Sequence, residues 1–323
     1  MTRMWLLPSV RCRRLLVTAL ASFLAAGGCA TIHSSLRIHS RLQPGLSITV
    51  DGIRVNYTAS LRPGDDGPVV VLIHGFGASL ESWGDIYPEL AREHSVIRVD
   101  LKGAGFSDKP RDGHYAPADQ AHLVLHVVRQ LGLTHVVLAG HSLGGGIAIL
   151  TTVAAIQEDE SGLIAGLVLI DAAAYPQPLP FFVALLRSPL TRNISKLTSA
   201  TFRTRFVLNR TFVVKDRVTD DRVYRYAFFS TLPGTQEALE ATANALAYED
   251  VGTLNTELGR MQMPTLIIWG ARDPVFHVRQ AARLHQAIVN SSVVILPETG
   301  HAPHEERPDE TARAINDFLA RIP

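Results

Sequence analysis

A short apolar run in the middle of the chain ends in a glycine-rich turn. Val136-Val137-Leu138-Ala139 leads directly into Gly140-His141-Ser142-Leu143-Gly144, and an alanine-rich helical pattern follows. This order predicts a strand, a sharp turn and a helix, with glycines on either side of Ser142 because larger side chains would collide with the adjoining elements. A glycine-rich turn with an incidental serine is the alternative, since Gly-x-Ser-x-Gly alone occurs in many unrelated chains. The flanking strand and helix favour an exposed serine hydroxyl at the apex.

Length and charge limit the classes of protein to which the chain can belong. With 323 residues, 46% of them hydrophobic, it can bury one large core, or one core with an inserted subdomain. The formal net charge of +1 argues against a dedicated nucleic-acid-binding protein, which would carry a clear basic excess. The sequence shows no phosphate-binding loop, nucleotide fingerprint or metal-ligand cluster. We therefore expect a small-molecule partner, no nucleic acid, and neither a cofactor nor a metal.

The first 29 residues have the outline of a secretory signal. Four arginines precede an apolar stretch, Leu15 to Ala26, which is shorter than the roughly 20 residues that a membrane-spanning helix needs. Ala26-Gly27-Gly28-Cys29 resembles the lipobox of bacterial lipoproteins, although that motif usually has leucine where Ala26 stands. We expect a lipidated Cys29 and a protein anchored in the bacterial cell envelope. Plain cleavage, giving a periplasmic or secreted protein, and an uncleaved anchor are the alternatives.

Cysteine usage agrees with export followed by anchoring. The chain has two cysteines, Cys12 in the leader and Cys29 at the proposed cleavage point. The folded part therefore has no disulfide, no cysteine-based zinc site and no cysteine nucleophile. Residues 30–45 lack a strong period and are interpreted as a tether.

The remaining chain predicts a mostly parallel sheet of eight strands. Alternation over Leu46–Val50 and Ile53–Tyr57, joined by Asp51-Gly52, is typical of a β-hairpin. Runs that are wholly or largely apolar recur later, as expected of strands buried on both faces. They lie at residues 69–73, 96–100, 136–140, 167–171, 264–270 and 293–296. Helical patterns between them predict flanking helices, with the sheet and its helices formed by residues 46–174 and 261–323.

Residues 175–260 are too long for a simple crossover and must form an inserted unit. Their apolar pattern predicts a helical cap that covers Ser142 and supplies most of the substrate pocket. The first half of this segment is strongly basic. Solvated helix faces explain such charge, and a surface facing a membrane or an anionic substrate is the alternative.

Several loops that follow predicted strands carry motifs that occur together in a known protein family. These are His74-Gly75-Phe76-Gly77, Asp100 to Asp108, Gly140 to Gly145, Gly270-Ala271-Arg272-Asp273-Pro274 and Gly300-His301. On these motifs the chain, from about residue 46 to its end, resembles the α/β-hydrolase superfamily. The order serine, acid, histidine is also that of the family.

The resemblance implies a role for individual residues. Ser142 would be the nucleophile, His301 its base and Asp273 the acid that orients His301, while Asp171, which also ends a strand, is the rival acid. The backbone N–H groups of Phe76 and Leu143 would form the oxyanion hole. Phe76, Trp83 and His141 are candidates for the wall of the substrate pocket. His74 and His141 also suit structural hydrogen bonding.

The expected activity is that of a capped serine hydrolase, a carboxylesterase that cleaves a small to medium apolar substrate through an acyl-enzyme on Ser142. An amide, a thioester or a carbon–carbon bond next to a ketone are alternative targets. A cofactor-free perhydrolase or haloperoxidase-like enzyme with the same triad is a second hypothesis, and a non-catalytic binding protein of this fold is a third. Haloalkane dehalogenases and the matching epoxide hydrolases carry aspartate at the turn, where this chain has Ser142.

Overall fold

A computed structural model describes residues 42–64, 66–188, 197–246 and 251–322. The predicted signal peptide 1–29, including Cys29, and most of the tether 30–45 lie outside the described residues. The chain divides after Gln43, and Pro44–Pro323 is one compact unit.

Eight strands form one sheet in the order β1-β2-β4-β3-β5-β6-β7-β8. The strand β2 is antiparallel to both of its neighbours, and β3 to β8 pair in parallel. This confirms the predicted eight-stranded, mostly parallel sheet. The bounds are β1 Leu46–Val50, β2 Ile53–Ser60, β3 Val69–Ile73, β4 Val96–Val99, β5 Val136–His141, β6 Ile164–Ile170, β7 Thr265–Gly270 and β8 Ser291–Leu296.

The sheet is flanked by helices, as the sequence predicts. Their bounds are α1 Tyr87–Glu93, α2 Pro117–Gln130, α3 Leu143–Gln157, α4 Phe181–Arg187, α5 Ala200–Thr211, α6 Asp220–Ser230, α7 Thr235–Ala245, α8 Val251–Gly259, α9 Arg279–Ala287, α10 Pro303–Glu306 and α11 Pro308–Leu319. In the described part of the chain, no helix has both the length and the apolar character needed to cross a membrane.

Successive side chains along a central strand point to opposite faces of the sheet, so they belong to two separate core layers. In β3, Val71 and Ile73 join the layer that contains α2 and α3, whereas Val70 and Leu72 join the layer that contains α1 and α11. Both faces of the strand are therefore covered by apolar side chains, which explains why β3 is a continuous apolar run.

Helices α4 to α8 lie between β6 and β7 and reach over the loops at the carboxyl ends of the strands. The Phe182 ring, on α4, lies 6.2 Å from the Phe76 ring. A Cβ built on Gly77 would lie 3.9 Å from the Leu239 side chain on α7. The segment therefore covers the edge of the sheet at which parallel α/β folds place their ligand sites.

Candidate active site

Ser142 occupies the strained turn between β5 and α3. Its backbone angles are φ 53° and ψ −119°, outside the regions that L-residues prefer. A Cβ on Gly140 would lie 2.2 Å from the Gly144 carbonyl oxygen, and one on Gly144 would lie 2.2 Å from that of Ile73. Only glycine fits at either position, which explains the spacing of the motif.

Ser142, His301 and Asp273 form one chain of hydrogen bonds. His301 Nε2 lies 3.0 Å from Ser142 Oγ, and His301 Nδ1 lies 2.9 Å from Asp273 Oδ2. A carboxylate accepts, so we assign the ring proton to Nδ1, which leaves Nε2 to accept the serine proton. Asp273 Oδ1 accepts a hydrogen bond of 2.7 Å from the Val275 N–H. The three predicted residues therefore meet, although Ser142 and His301 are 159 positions apart.

The pKa of Asp273 lies below its ordinary value. Burial would raise this pKa, but the charge of His301 and the hydrogen bonds to the carboxylate outweigh that effect. Asp273 is therefore ionised at neutral pH and can stabilise a positive charge on the His301 ring.

Asp171 is fully buried beside this chain of hydrogen bonds. Its Oδ1 accepts a 3.1 Å hydrogen bond from the Gly270 N–H, while Oδ2 has no donor among the described residues. Burial, together with the negative charge of Asp273, raises the pKa of Asp171 well above its ordinary value. A proton on Oδ2 can then be donated to Asp273. Asp273, and not Asp171, accepts from the His301 ring.

Asp171, Asp273 and His301 each offer one ligand atom, and these atoms lie within 4.8 Å of one another. A metal at this point would need Nδ1 of His301 as an unprotonated ligand. The 2.9 Å contact between that nitrogen and Asp273 is already the length of a hydrogen bond. The hydrogen bond between His301 and Asp273 therefore accounts for the close approach of these two residues.

Two backbone N–H groups next to Ser142 are available to a developing oxyanion. Within the described ranges, neither the Phe76 nor the Leu143 N–H donates a hydrogen bond. A Cβ on Gly75 would lie 3.1 Å from the Ser142 Cβ, so the loop that carries Phe76 passes directly beside the serine. Leu143 is the first residue of α3, where the helix dipole favours negative charge.

A largely apolar cleft opens beside Ser142. Its described lining consists of Phe76, Pro117, Ser142, Leu143, Gly146, Ile149, Leu150, Ala173, Ala174, Pro180, Phe182, Val183, Leu246, Leu254 and Phe276. Only the five from Pro180 to Leu254 belong to residues 175–260. Among the described residues, α3 and the strand loops therefore provide more of the wall than this segment does. Residues 189–196 and 247–250 of the segment lie outside the described part of the chain, so its predicted share of the pocket stays a prediction.

Trp83 and His141 do not line this cleft, in contrast to the sequence-based expectation. Trp83 is fully buried in the core layer of α1, with its ring 4.6 Å from the ring of His304. His141 lies beneath the site and donates a 2.7 Å hydrogen bond from Nε2 to the His301 carbonyl oxygen. Of the three candidates, Phe76 alone reaches the cleft.

Sequence reasoning missed Glu306, which binds the His301 loop to the inserted segment. Its buried carboxyl group accepts hydrogen bonds from four backbone N–H groups. Two belong to Val213 and Val214, at 2.7 and 2.9 Å, and two to Gly300 and Ala302, at 3.1 and 3.2 Å. The only sequence signal was an acidic residue placed soon after Gly300-His301.

The inserted segment also contacts the histidine loop directly. The His301 N–H donates a 3.0 Å hydrogen bond to the Thr211 carbonyl oxygen. Nearby, Arg222 forms a buried ion pair with Glu305 at 2.9 Å, and the Tyr226 hydroxyl donates to the other Glu305 oxygen at 2.7 Å. The position of His301 therefore depends on residues 211–226.

We expect His141 to make folding sensitive to acid. Burial and the charge of His301 lower its pKa from 6.5 to about 3. Between these two values the unfolded state binds more protons than the folded state, so stability falls as the pH falls. From pH 6.5 to 4.5, the free energy of unfolding should fall more steeply in the parent than in His141→Gln, by about 1 kcal/mol per pH unit. Urea unfolding measures both slopes, and equal slopes would contradict the prediction.

Comparison with known proteins agrees with this architecture. Residues 70–314 match the model of the Alpha/beta hydrolase family. An uncharacterized hydrolase of Bacillus subtilis, YugF, is 28% identical over 291 residues, which cover 86% of this chain and 98% of that protein. A solved membrane phospholipase A, described as a bacterial virulence factor, is 26% identical with a TM-score of 0.69, over 96% of this chain and 99% of that one.

A solved meta-cleavage product hydrolase shares the fold at 24% identity and a TM-score of 0.72, over 86% of this chain and 98% of its own. The family model spans well over half of the sequence and includes β5, the Ser142 turn and the His301 loop. The chain therefore belongs to the alpha/beta hydrolase family.

Proposed function

We propose that this hydrolase cleaves carboxylic esters of small to medium apolar acids through an acyl-enzyme on Ser142. The observation that carries the proposal is the hydrogen-bonded chain Ser142–His301–Asp273 at the floor of an apolar cleft. Serine alone is a poor nucleophile at neutral pH, and this arrangement gives it a base whose positive form is stabilised.

The proposed reaction has two halves. His301 Nε2 takes the hydroxyl proton as Ser142 Oγ bonds to the acyl carbon, and the carbonyl electrons move onto oxygen. The N–H groups of Phe76 and Leu143 bind that oxyanion. When the carbonyl re-forms, the ester C–O bond breaks and the proton on Nε2 passes to the leaving alkoxide oxygen. Water then repeats the sequence against the acyl-enzyme, which releases the acid and the free serine.

Two further observations support an acyl substrate. Apart from Ser142, the side chains that line the described cleft are all apolar, which favours an aliphatic or aromatic acyl group over a charged one. The name phospholipase A, carried by the relative that is 26% identical, denotes an enzyme that cleaves acyl esters.

A series of p-nitrophenyl esters from acetate to palmitate tests this proposal. We expect kcat/KM to rise with acyl length, peak at a short-to-medium chain and then fall as the cleft fills. A fluorophosphonate should label the protein on Ser142, because only an activated serine reacts quickly. Labelling without turnover of any ester would favour the related amide, carbon–carbon or perhydrolysis reactions. Absence of labelling would favour a non-catalytic binding protein.

The two buried aspartates provide a matched test of the proposed acid. Asp171→Asn should keep most of the activity, because a protonated aspartate and an asparagine both donate to Asp273. Asp273→Asn should lower kcat by on the order of 10⁴, since an amide cannot hold His301 in the required tautomer. Ester hydrolysis by the two folded variants measures the difference. The reverse ranking would assign the acid to Asp171.

We also propose export and lipid anchoring through Cys29, on the basis of the N-terminal sequence alone. Two or more acyl chains, at about 0.8 kcal/mol per buried CH₂, hold a protein firmly on a membrane. Cys29→Ser should then prevent correct maturation in the natural host. Mass spectrometry that finds a mature N-terminus elsewhere, without lipid, would overturn this proposal.

A further inference from the structure

Helices α4 and α5 carry a cluster of exposed apolar side chains above the cleft. Phe181 and Leu185 on α4 are one turn apart, as are Phe202 and Phe206 on α5, so each pair forms a stripe along its helix. Their exposed fractions lie between 36% and 62%. The Phe181 and Phe206 rings are 6.0 Å apart, which joins the two stripes into one surface. We call these four residues the outer cap face.

This concentration of apolar surface is local. The described residues include nine large apolar side chains that are clearly exposed, and five of them lie between Phe181 and Phe206. The others, Leu46, Leu61, Val289 and Ile295, are scattered along the chain. Single exposed apolar residues are ordinary on soluble proteins, whereas a contiguous patch marks a contact surface.

The segment of sequence that carries the outer cap face is rich in positive charge. Residues 181–217 contain eight Lys or Arg and a single acid, Asp216, which gives this segment a charge of +7 in a chain of +1. Arg210 continues the α5 stripe, with its guanidinium carbon 4.4 Å from the Phe206 ring centroid and 5.5 Å from that of Phe181. Ion pairs neutralise part of the charge, since Arg205 pairs with Asp220 and Arg217 with Asp85. Arg187 on α4 and Arg203 on α5 add to the positive charge of the two helices.

The outer cap face is continuous with the cleft. The Phe181 ring lies 5.3 Å from the ring of Phe182, which lines the cleft, and the Phe182 ring lies 6.2 Å from that of Phe76. Aromatic contacts therefore run from the exposed surface to the loop beside Ser142. An apolar environment in contact with the outer cap face would therefore lie next to the wall of the cleft.

From these contacts we infer that the outer cap face docks on an anionic lipid bilayer. Exposed Phe and Leu side chains rimmed by Arg match the two attractions of a membrane surface, apolar burial below the headgroups and Coulomb attraction to anionic lipid. A second copy of the chain fits poorly, because a symmetric contact would bring two segments of +7 together. The inference concerns binding and does not depend on the reaction at Ser142.

Tryptophan placed on the face reports contact with lipid directly. The test uses the full chain carrying Phe202→Trp, with Val289→Trp as the matched control. Val289 is also exposed, but it precedes β8, at the amino end of the strands and opposite the cap. Both variants are mixed with vesicles of phosphatidylcholine alone, or with phosphatidylglycerol added, that contain brominated lipid as quencher. The native tryptophans give the same background in both.

We expect the added emission of Phe202→Trp to shift to the blue and to lose about half its intensity on phosphatidylglycerol vesicles. The effect should weaken at 1 M salt, where the screening length is about 3 Å. Arg210→Glu should reduce partitioning about 10-fold or more. Arg260→Glu, an exposed arginine before β7, should leave it unchanged.

Equal quenching of the two tryptophan variants would overturn the inference, because contact would then not involve the outer cap face. Quenching that is the same on neutral vesicles would exclude recognition of anionic lipid. A blue shift of Phe202→Trp without vesicles that grows with protein concentration would assign the face to self-association. The vesicle assay does not measure turnover, so its result is independent of whether the protein hydrolyses esters. An inactive protein can bind the vesicles, and an active one can lack vesicle binding.

Discussion

Replacing Ser142 by alanine should lower ester turnover by about 10⁴-fold to 10⁶-fold while leaving the protein folded. The substitution removes the atom that bonds to the acyl carbon. Ser142 Oγ makes its described contact with His301 Nε2 alone, so little structure is lost with it. Steady-state kinetics with the preferred p-nitrophenyl ester measures the loss, and circular dichroism checks the fold.

His301→Ala should cause a loss of similar size, because the hydroxyl keeps its proton without a base. The double variant should be no worse than either single one, since the two side chains act as a unit. Ser47→Ala, an exposed serine on β1, is the matched control and should match the parent. Residual activity above about a tenth of the parent in Ser142→Ala would assign the reaction to another nucleophile.

Replacing Glu306 by alanine should lower the free energy of unfolding by about 3–5 kcal/mol. Four backbone N–H groups would lose their acceptor, two of them buried, at Gly300 and Ala302, and two part-buried, at Val213 and Val214. Turnover should also fall in the fraction that stays folded, because Gly300 and Ala302 flank His301. Urea unfolding and kcat measure the two effects.

Glu306→Gln separates the hydrogen bonds from the bulk of the side chain. Three of the four N–H groups contact Oε2 and one contacts Oε1. An amide can therefore keep three acceptor contacts through its oxygen and should cost about 1–3 kcal/mol. Glu298→Ala is the control, because Glu298 is exposed and contacts only Arg272 among the described residues. Equal free energies of unfolding for Glu306→Ala and Glu298→Ala would contradict a structural role for Glu306.

The same contacts change the expected effect of removing the inserted segment. From the sequence, a short linker in place of residues 175–260 would be expected to leave Ser142 reactive toward a small organophosphonate. In the structure, however, the Thr211 carbonyl and the Val213 and Val214 N–H groups hold the loop that carries His301. We therefore expect such a replacement to slow labelling as well as to alter chain-length selectivity.

Local patterns in the sequence were sufficient to predict the sheet and the Ser142 turn. Apolar runs of strand length, such as Val69–Ile73 and Thr265–Gly270, reflect burial on both faces, a requirement that acts on every residue of the strand. Gly140 and Gly144 are likewise required for steric reasons, because a Cβ would collide with residues close in sequence or with the adjacent strand β3. Loops after parallel strands meet at one edge, so Ser142, Asp273 and His301 could be placed together before any distance was known.

Tertiary structure alone decided which neighbours each of these residues meets. Trp83 follows a catalytic-edge loop in sequence, yet its ring packs on His304 in the core layer of α1. Asp171 and Asp273 both follow strands and both side chains are buried, so the hydrogen bond from His301 to Asp273 distinguishes the ion from the protonated acid. Glu306 meets Val213 across 93 positions of the chain. A hydrogen bond depends on distances of a few tenths of an ångström between segments far apart in sequence, and no local periodicity records such distances.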